Sequence, residues 1–234
     1  MKRQTYILVP FIIMLILITF VQPISTVAIK SPNVVMTKQY KNIEKLKYPF
    51  LVSAPNNKAQ NSVNKILLQH IKASYNQYIK LMKEMEKLKK ESICKESASA
   101  CQFEYITNYQ VKYNQNNKLS ILFSDYQFTG GAHGNTVITT YNFDLKSGKL
   151  LTLDDFLPSK EHYGKVTTYA IAYMKKHPEI FFADPEEFTD FKVTNETNFY
   201  LADNGIVLIF QQYEVAPYAS GNPSIFIPAS VLSK

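Results

Sequence analysis

The 234 residues are 46% hydrophobic and 19% charged, with 16 Tyr and 15 Phe, more aromatic surface than a disordered chain of such modest charge could keep solvated. Seven Gly and no fixed repeat period exclude collagen-like and solenoid arrays, and a single bilayer-compatible apolar segment excludes a multispan membrane protein. The net charge of +7 is unevenly spread, with 16 basic and 5 acidic residues through Glu96 and 10 and 14 from Ser97 onward. All but one of the basic residues are Lys, which lacks the bidentate fork of Arg, so no nucleic-acid partner is expected. A diffuse Lys surface suits an anionic cell wall, a membrane face or an acidic glycan, or serves solubility alone.

At the N-terminus, Lys2 and Arg3 precede a nearly continuous apolar run over residues 6–21, and polar residues 22–26 lead to Val27 and Ala28. This is the layout of an export signal over residues 1–28, with cleavage expected after Ala28. The run is somewhat shorter than the about 20 residues of a full span, and an uncleaved anchor on the outer face of the membrane is the alternative. Both readings place the remainder outside the cytoplasm, touching the membrane only through this segment. Cys94 and Cys101 are the only cysteines. Their spacing fits neither a zinc site nor the two-residue redox motif, so a local disulfide is expected, worth about 2–3 kcal/mol through loop closure.

Residues 34–52 mix Val, Thr, Tyr, Ile and Leu as one or two strands, ending at the turn signal Ala54-Pro55-Asn56-Asn57, where either Asn can cap a helix. A long helix is expected over about 58–90. Val63, Leu67, Ile71, Tyr75, Tyr78 and Met82 recur there at three- and four-residue steps and face a sheet, with His70 on the helix surface. Strands over 102–114 and 118–129 flank Gln115-Asn116-Asn117 as a hairpin. After Gly130-Gly131-Ala132-His133-Gly134 come a strand over 136–145, a turn at Ser147-Gly148, and a short segment over 150–156 in which Asp154-Asp155 caps a turn. A second helix is expected over about 161–177, stopped by Pro178, followed by a hairpin of 199–201 with 206–213 and a final strand over 224–227. The plan is α+β with two sub-domains, each a mainly antiparallel sheet packed by a helix. Residues 29–125 hold the long helix and the disulfide loop, and residues 126–234 hold the shorter helix.

Three of the seven Gly lie within five residues around His133. Either this is a recognition loop presenting the imidazole, or it is a tight crossover whose His caps a carbonyl. In the second cluster, Tyr213-Glu214-Val215-Ala216-Pro217-Tyr218, Glu214 follows an apolar strand and is expected to be partly buried with a raised pKa. A carboxylate, two phenols and an imidazole suit sugar stacking or a protein interface, or pin the sheet end as a buried network. No G-x-S-x-G elbow, paired-His helix motif or metal-ligand spacing occurs, so no catalytic residue, metal or cofactor is expected.

The runs Tyr126-Gln127-Phe128-Thr129-Gly130-Gly131-Ala132-His133-Gly134, Tyr141-Asn142-Phe143-Asp144-Leu145-Lys146-Ser147-Gly148-Lys149 and Tyr213-Glu214-Val215-Ala216-Pro217-Tyr218, in that order, resemble an extracellular domain of unknown function. It forms the outer part of the lysozyme-sensing anti-sigma factor RsiV of Gram-positive bacteria and the non-catalytic region of the peptidoglycan deacetylase PdaC. Residues upstream resemble the companion domain that precedes it in both. Only residues 1–5 precede the apolar run, and the deacetylase's metal-binding Asp-Asp and His motif is not found, so neither sigma-factor binding nor deacetylation is expected. The resemblance implies an exported, non-enzymatic cell-envelope module that binds a muramidase (lysozyme) or the peptidoglycan glycan. Its binding surface would be Gly130, Gly131, His133, Gly134, Tyr213, Glu214 and Tyr218. The alternatives are a wall-active hydrolase using His133 and Glu214, and a structural envelope protein without a small ligand.

Overall fold

The computed structural model describes residues 34–91, 94 and 101–233; the expected signal or anchor at residues 1–28 lies outside them. Strand β1 (Val35–Gln39) pairs antiparallel with β2 (Lys47–Leu51). Helix α1 (Asn57–Leu88) follows, its N-terminus capped by Asn56, whose side chain accepts from the Ala59 amide. With no Gly or Pro inside it, α1 runs unbroken for 32 residues. It buries Ala59, Val63, Leu67, Ile71, Ser74 and Leu81, whereas its Lys- and Glu-rich last turn stands in solvent. Cys94 and Cys101 are joined by a disulfide, their Cα atoms 5.6 Å apart.

Strands β3 (Phe103–Gln115), β4 (Lys118–Thr129), β5 (Asn135–Asp144) and β6 (Lys149–Leu151) form one antiparallel sheet in chain order. Asn116 and Asn117 make the β3–β4 turn, both at positive φ, the conformation that favours Asn in a two-residue hairpin loop. A short turn over Leu153–Asp155 is closed by reciprocal hydrogen bonds between Thr152 and Asp155, and Asp154 accepts from the Tyr163 hydroxyl. The Asp154-Asp155 pair thus caps a turn. Helix α2 (Lys160–Lys176), capped by Ser159, packs against the antiparallel strands β7 (Phe199–Ala202), β8 (Gly205–Ile209) and β9 (Ser224–Pro228). A closing turn of helix, α3 (Ala229–Leu232), was not legible in the sequence pattern. The fold is therefore α+β in two sheet-and-helix units.

Alternation within β4 explains how the units meet. Leu119, Ile121 and Phe123 face α1 and pack with Val63, Leu67, Phe143 and Leu145. Leu122, on the opposite face, packs with Ile138 of β5 and Ile209 of β8. Both faces of β4 are covered, so it reads as a near-continuous apolar run. The strand also passes without a break through residues 125 and 126, and the Gly130–Gly134 loop hangs from the same sheet that α1 covers.

The outer edge of β5 would leave backbone groups unpaired where β6 is too short to reach. Side-chain amides from the second unit fill it. Gln212 accepts from Thr136 N at 2.7 Å, Gln211 both accepts from Ile138 N and donates to Ile138 O, and Asn198 accepts from Thr140 N at 3.0 Å. Deeper in the interface, buried Asn142 donates to Phe199 O, while buried Ser120 accepts from Leu201 N and donates to Asn142 Oδ1. The second unit is stitched to the edge of the first sheet by side chains imitating a fifth strand.

Candidate functional site

The β4–β5 connection turns twice at positive φ, at Gly130 (81°) and Gly131 (103°), a region that side chains with a Cβ rarely enter. Gly134 is needed for a different reason: a Cβ there would lie 2.4 Å from the Tyr126 ring. The carbonyl of Gly134 becomes the anchor of the site. It accepts from the Tyr218 hydroxyl at 2.8 Å and from His133 Nδ1 at 3.0 Å. A carbonyl only accepts, so this contact places a proton on Nδ1.

Three rings then converge. His133 stacks on Tyr218 at 3.9 Å between centroids and 25° between planes, and Tyr213 lies 5.6 Å from Tyr218 and 6.5 Å from His133. The Tyr213 hydroxyl is 3.5 Å from His133 Nε2, at the limit of a hydrogen bond. Tyr213 is 55% exposed and sits at φ 65°, an unusual conformation for an aromatic residue and one that aims its ring outward. His133 is exposed as well, and Tyr218 is partly exposed.

Glu214 departs from expectation. It is exposed because the strand ends at Ile209, and residues 211–214 form a turn beyond it. Its Oε2 accepts from the Gln211 amide at 2.7 Å, and among the described residues no hydrogen bond or ion pair joins it to His133. The carboxylate closes a turn beside the rings; it does not form an acid–base pair with the imidazole.

Beside the rings a cleft of about 480 Å³ opens between α1 and the sheet, lined by Gln77, Asp125, Gln127, Thr129, His133 and Asn135 among others. A second, of about 500 Å³, lies against Tyr126, Phe128 and Ala132 and shares His133 with the first. The first exists because two stripes turn polar at the same level. In β4 the inward series Leu119, Ile121, Phe123 continues as Asp125, Gln127, Thr129, and in α1 the series Val63, Leu67, Ile71 gives way to Ser74 and Gln77.

At the base of the cleft sits a group that sequence reasoning missed. His70 is not on the helix surface: its side chain is 9% exposed, stacked on Phe123 at 3.8 Å, with Nε2 2.9 Å from Asp125 Oδ2 and Nδ1 3.2 Å from the Tyr141 hydroxyl. Asp125 Oδ1 also accepts from Ser74 at 2.9 Å and Thr107 at 2.6 Å. Burial pushes the Asp125 carboxyl up, but hydrogen bonding to His70, the His70 charge, and the Thr107 and Ser74 hydroxyls outweigh it and hold its pKa below the ordinary value. Burial and the neighbouring Asp125 charge push the phenols of Tyr105 and Tyr141 up. The signal available in the sequence was a charged residue in phase with the apolar face of a strand. Among the described residues no group of three His, Cys, Asp or Glu side chains is arranged to hold a metal ion.

Comparison with known proteins gives this geometry a family context. Residues 36–136 match the family model described as deacetylase PdaC, and residues 154–230 match that of a protein of unknown function, DUF3298. The peptidoglycan-N-acetylmuramic acid deacetylase PdaC of Bacillus subtilis (strain 168) is 32% identical over 128 residues. A crystal structure of a DUF3298 family member from Bacteroides fragilis aligns over 86% of this chain and 89% of its own, with a TM-score of 0.64 at 20% identity.

The chain carries a PdaC/DUF3298-type domain. The alignment with the Bacillus deacetylase takes in 53% of this chain and 27% of the relative, so the chain spans about a quarter of that protein. In the PdaC/DUF3298-type domain the glycine loop lies in the PdaC-matched segment, whereas Tyr213, Glu214 and Tyr218 lie in the DUF3298-matched one. The three-ring cluster is therefore assembled across both matched segments and held by the amides that cover β5.

Proposed function

We propose that this chain is an exported cell-envelope binding module and that His133, Tyr213 and Tyr218 form a stacking platform for a sugar ring of the wall glycan. The convergence of three aromatic rings, one of which, His133, also lines a hydrogen-bonding cleft, carries this reading. Ring faces bind the apolar face of a pyranose, and adjacent amides and hydroxyls serve its polar edge. Carboxamides from Gln77, Gln127 and Asn135 supply both donors and acceptors. Among the described residues the charged one lining this cleft is Asp125, with no Lys or Arg, so the cleft suits a neutral, N-acetylated sugar better than an anionic one. Export rests on the N-terminal layout, and a wall context is supported by the relation to a peptidoglycan deacetylase.

A muramidase is the second reading. The likeness to the lysozyme-sensing module supports it, as does a solvent-facing Tyr, a residue type favoured where proteins meet. A wall-active hydrolase draws less support, because Glu214 is engaged with its own turn, and the exposed faces of His133 and Tyr213 count against a purely structural role. Retention of the full chain on purified peptidoglycan and on immobilised lysozyme tests these readings in parallel. Tyr213→Ala is expected to weaken retention on peptidoglycan about tenfold, the scale of one lost base- or sugar-like stacking contact. Retention by lysozyme alone moves the assignment to the second reading, and retention by neither overturns both. Unchanged wall turnover in His133→Ala and Glu214→Gln variants would remove the hydrolase.

A further inference from the structure

The solvent face of α1 carries a feature that the ring platform does not use. Lys58, Lys65, Lys72, Lys80, Lys83 and Lys87 are all exposed. At about 100° and 1.5 Å per residue they fall within about 40° of one line and extend for about 44 Å. This line runs opposite the buried stripe of Val63, Leu67 and Ile71. Gln69 and Asn76 fill positions between the lysines, while Tyr75 and Tyr78 turn toward the core. Among the described residues none of the six lysines makes an ion pair; the pair at this helix joins Glu86 to Lys89, the residue that follows its last turn.

Solubility alone does not require this pattern. A helix surface is best stabilised by opposite charges three and four residues apart; Lys80, Lys83 and Lys87 have Glu84 and Glu86 at those steps, but Lys58, Lys65 and Lys72 have no acidic residue there. The macrodipole rewards a cation only in the last turn, which leaves Lys58 through Lys80 without that support. The arrangement is favourable when a polyanion lies along it.

We infer that this stripe binds a linear, base-free phosphodiester polymer of the poly(glycerol phosphate) type. The lysines follow one another at seven, seven, eight, three and four residues, a spacing that a flexible chain can match and a stiff lattice of charges cannot. Lys offers a compact ammonium on a mobile stem, suited to a phosphate approached as a point charge. No aromatic ring interrupts the line, so stacking of nucleic-acid bases has no platform there. The line also lacks the apolar residues with which an amphipathic helix enters a bilayer.

The test uses the full chain and three probes of matched charge: poly(glycerol phosphate), anionic phospholipid vesicles and a single-stranded oligonucleotide. Affinity for the polymer is expected to exceed that for the other two and to fall at least tenfold between about 50 and 200 mM salt. The variant Lys58→Gln/Lys65→Gln/Lys72→Gln is expected to weaken polymer binding at least tenfold at low salt, with its melting temperature unchanged or raised. Lys175→Gln/Lys176→Gln/Lys192→Gln, which removes equal charge elsewhere, is expected to keep most of the affinity. Equal loss in the two variants reduces the effect to net charge and overturns the inference, as does tighter binding to vesicles or to the oligonucleotide. Peptidoglycan retention through Tyr213 is a separate readout, so either site can fail alone.

Discussion

The Tyr213 backbone at φ 65° costs a residue with a Cβ about 1 kcal/mol or more, a cost that persists only where surrounding contacts impose it. Glycine at the same position removes that cost together with the ring. Tyr213→Gly is therefore expected to melt at the same temperature or higher while losing glycan retention, whereas Tyr213→Ala keeps the strained backbone. A clear drop in melting temperature for the Gly variant would mean that the ring serves packing. Asp125 presents the opposite case, a buried carboxylate whose partners are all satisfied. Asp125→Ala strands the donors of His70, Ser74 and Thr107 and is expected to cost about 3 kcal/mol in denaturant unfolding. Since its folded pKa lies below the unfolded one, its contribution is complete above the ordinary carboxylate range near about pH 4 and is lost as pH falls through the folded value. Stability measured against pH should lose part of its acid limb in Asp125→Asn. His133, Tyr213 and Tyr218 were legible as turn residues; that their rings meet was not, because the contacts join residues 80 and 84 positions apart. Glu214 was not, because the pattern cannot show that its carboxylate bonds an amide three residues back.

Among the elements, α1 and β4 were the most legible, since each declares a face by its own period. Leu67 on α1 lies fully under the helix and contacts the inward side of the sheet. Leu67→Ala is expected to cost about 2–5 kcal/mol in chemical denaturation, against almost nothing for Lys65→Ala on the solvent side. A small effect at Leu67 would mean that α1 does not bear on the sheet as described. What the period could not give was the end of each face. The switch from Phe123 to Asp125 and from Ile71 to Ser74 looks like ordinary strand and helix termination until the two are seen at one level. The His70 imidazole was misjudged for the same reason: its position next to Ile71 places it at the margin of the buried stripe, and only the partner on β4 decides which way it turns. The closing of β5 lies further from sequence, because Gln211, Gln212 and Asn198 act 58 to 76 residues away from the amides they satisfy.

For the whole molecule, those same amides decide whether the two sheet-and-helix units behave as one. Each unit has its own core, which on its own would favour separate unfolding. Between them, however, the contact is not a solvated hinge. Asn142 and Ser120 are buried, at 1% and 0% exposure, and their hydrogen bonds to Phe199 and Leu201 cannot be exchanged for water without opening the interface. Leu122, Ile138 and Ile209 add an apolar patch at the same junction. Opening one unit would therefore expose polar groups and apolar surface on the other, the condition for a single cooperative transition. Calorimetry is expected to show one peak for the parent chain. Asn142→Ala removes the buried bridge and Gln211→Ala frees both backbone groups of Ile138; each is expected to lower stability by about 1–3 kcal/mol. Because the two positions act on one interface, their effects should not add, and the double variant should resolve into two transitions. The rings belong to different units, so that variant should also lose glycan retention at a temperature where both units remain folded. Two peaks already present in the parent chain would mean that the platform is held together by its own ring contacts.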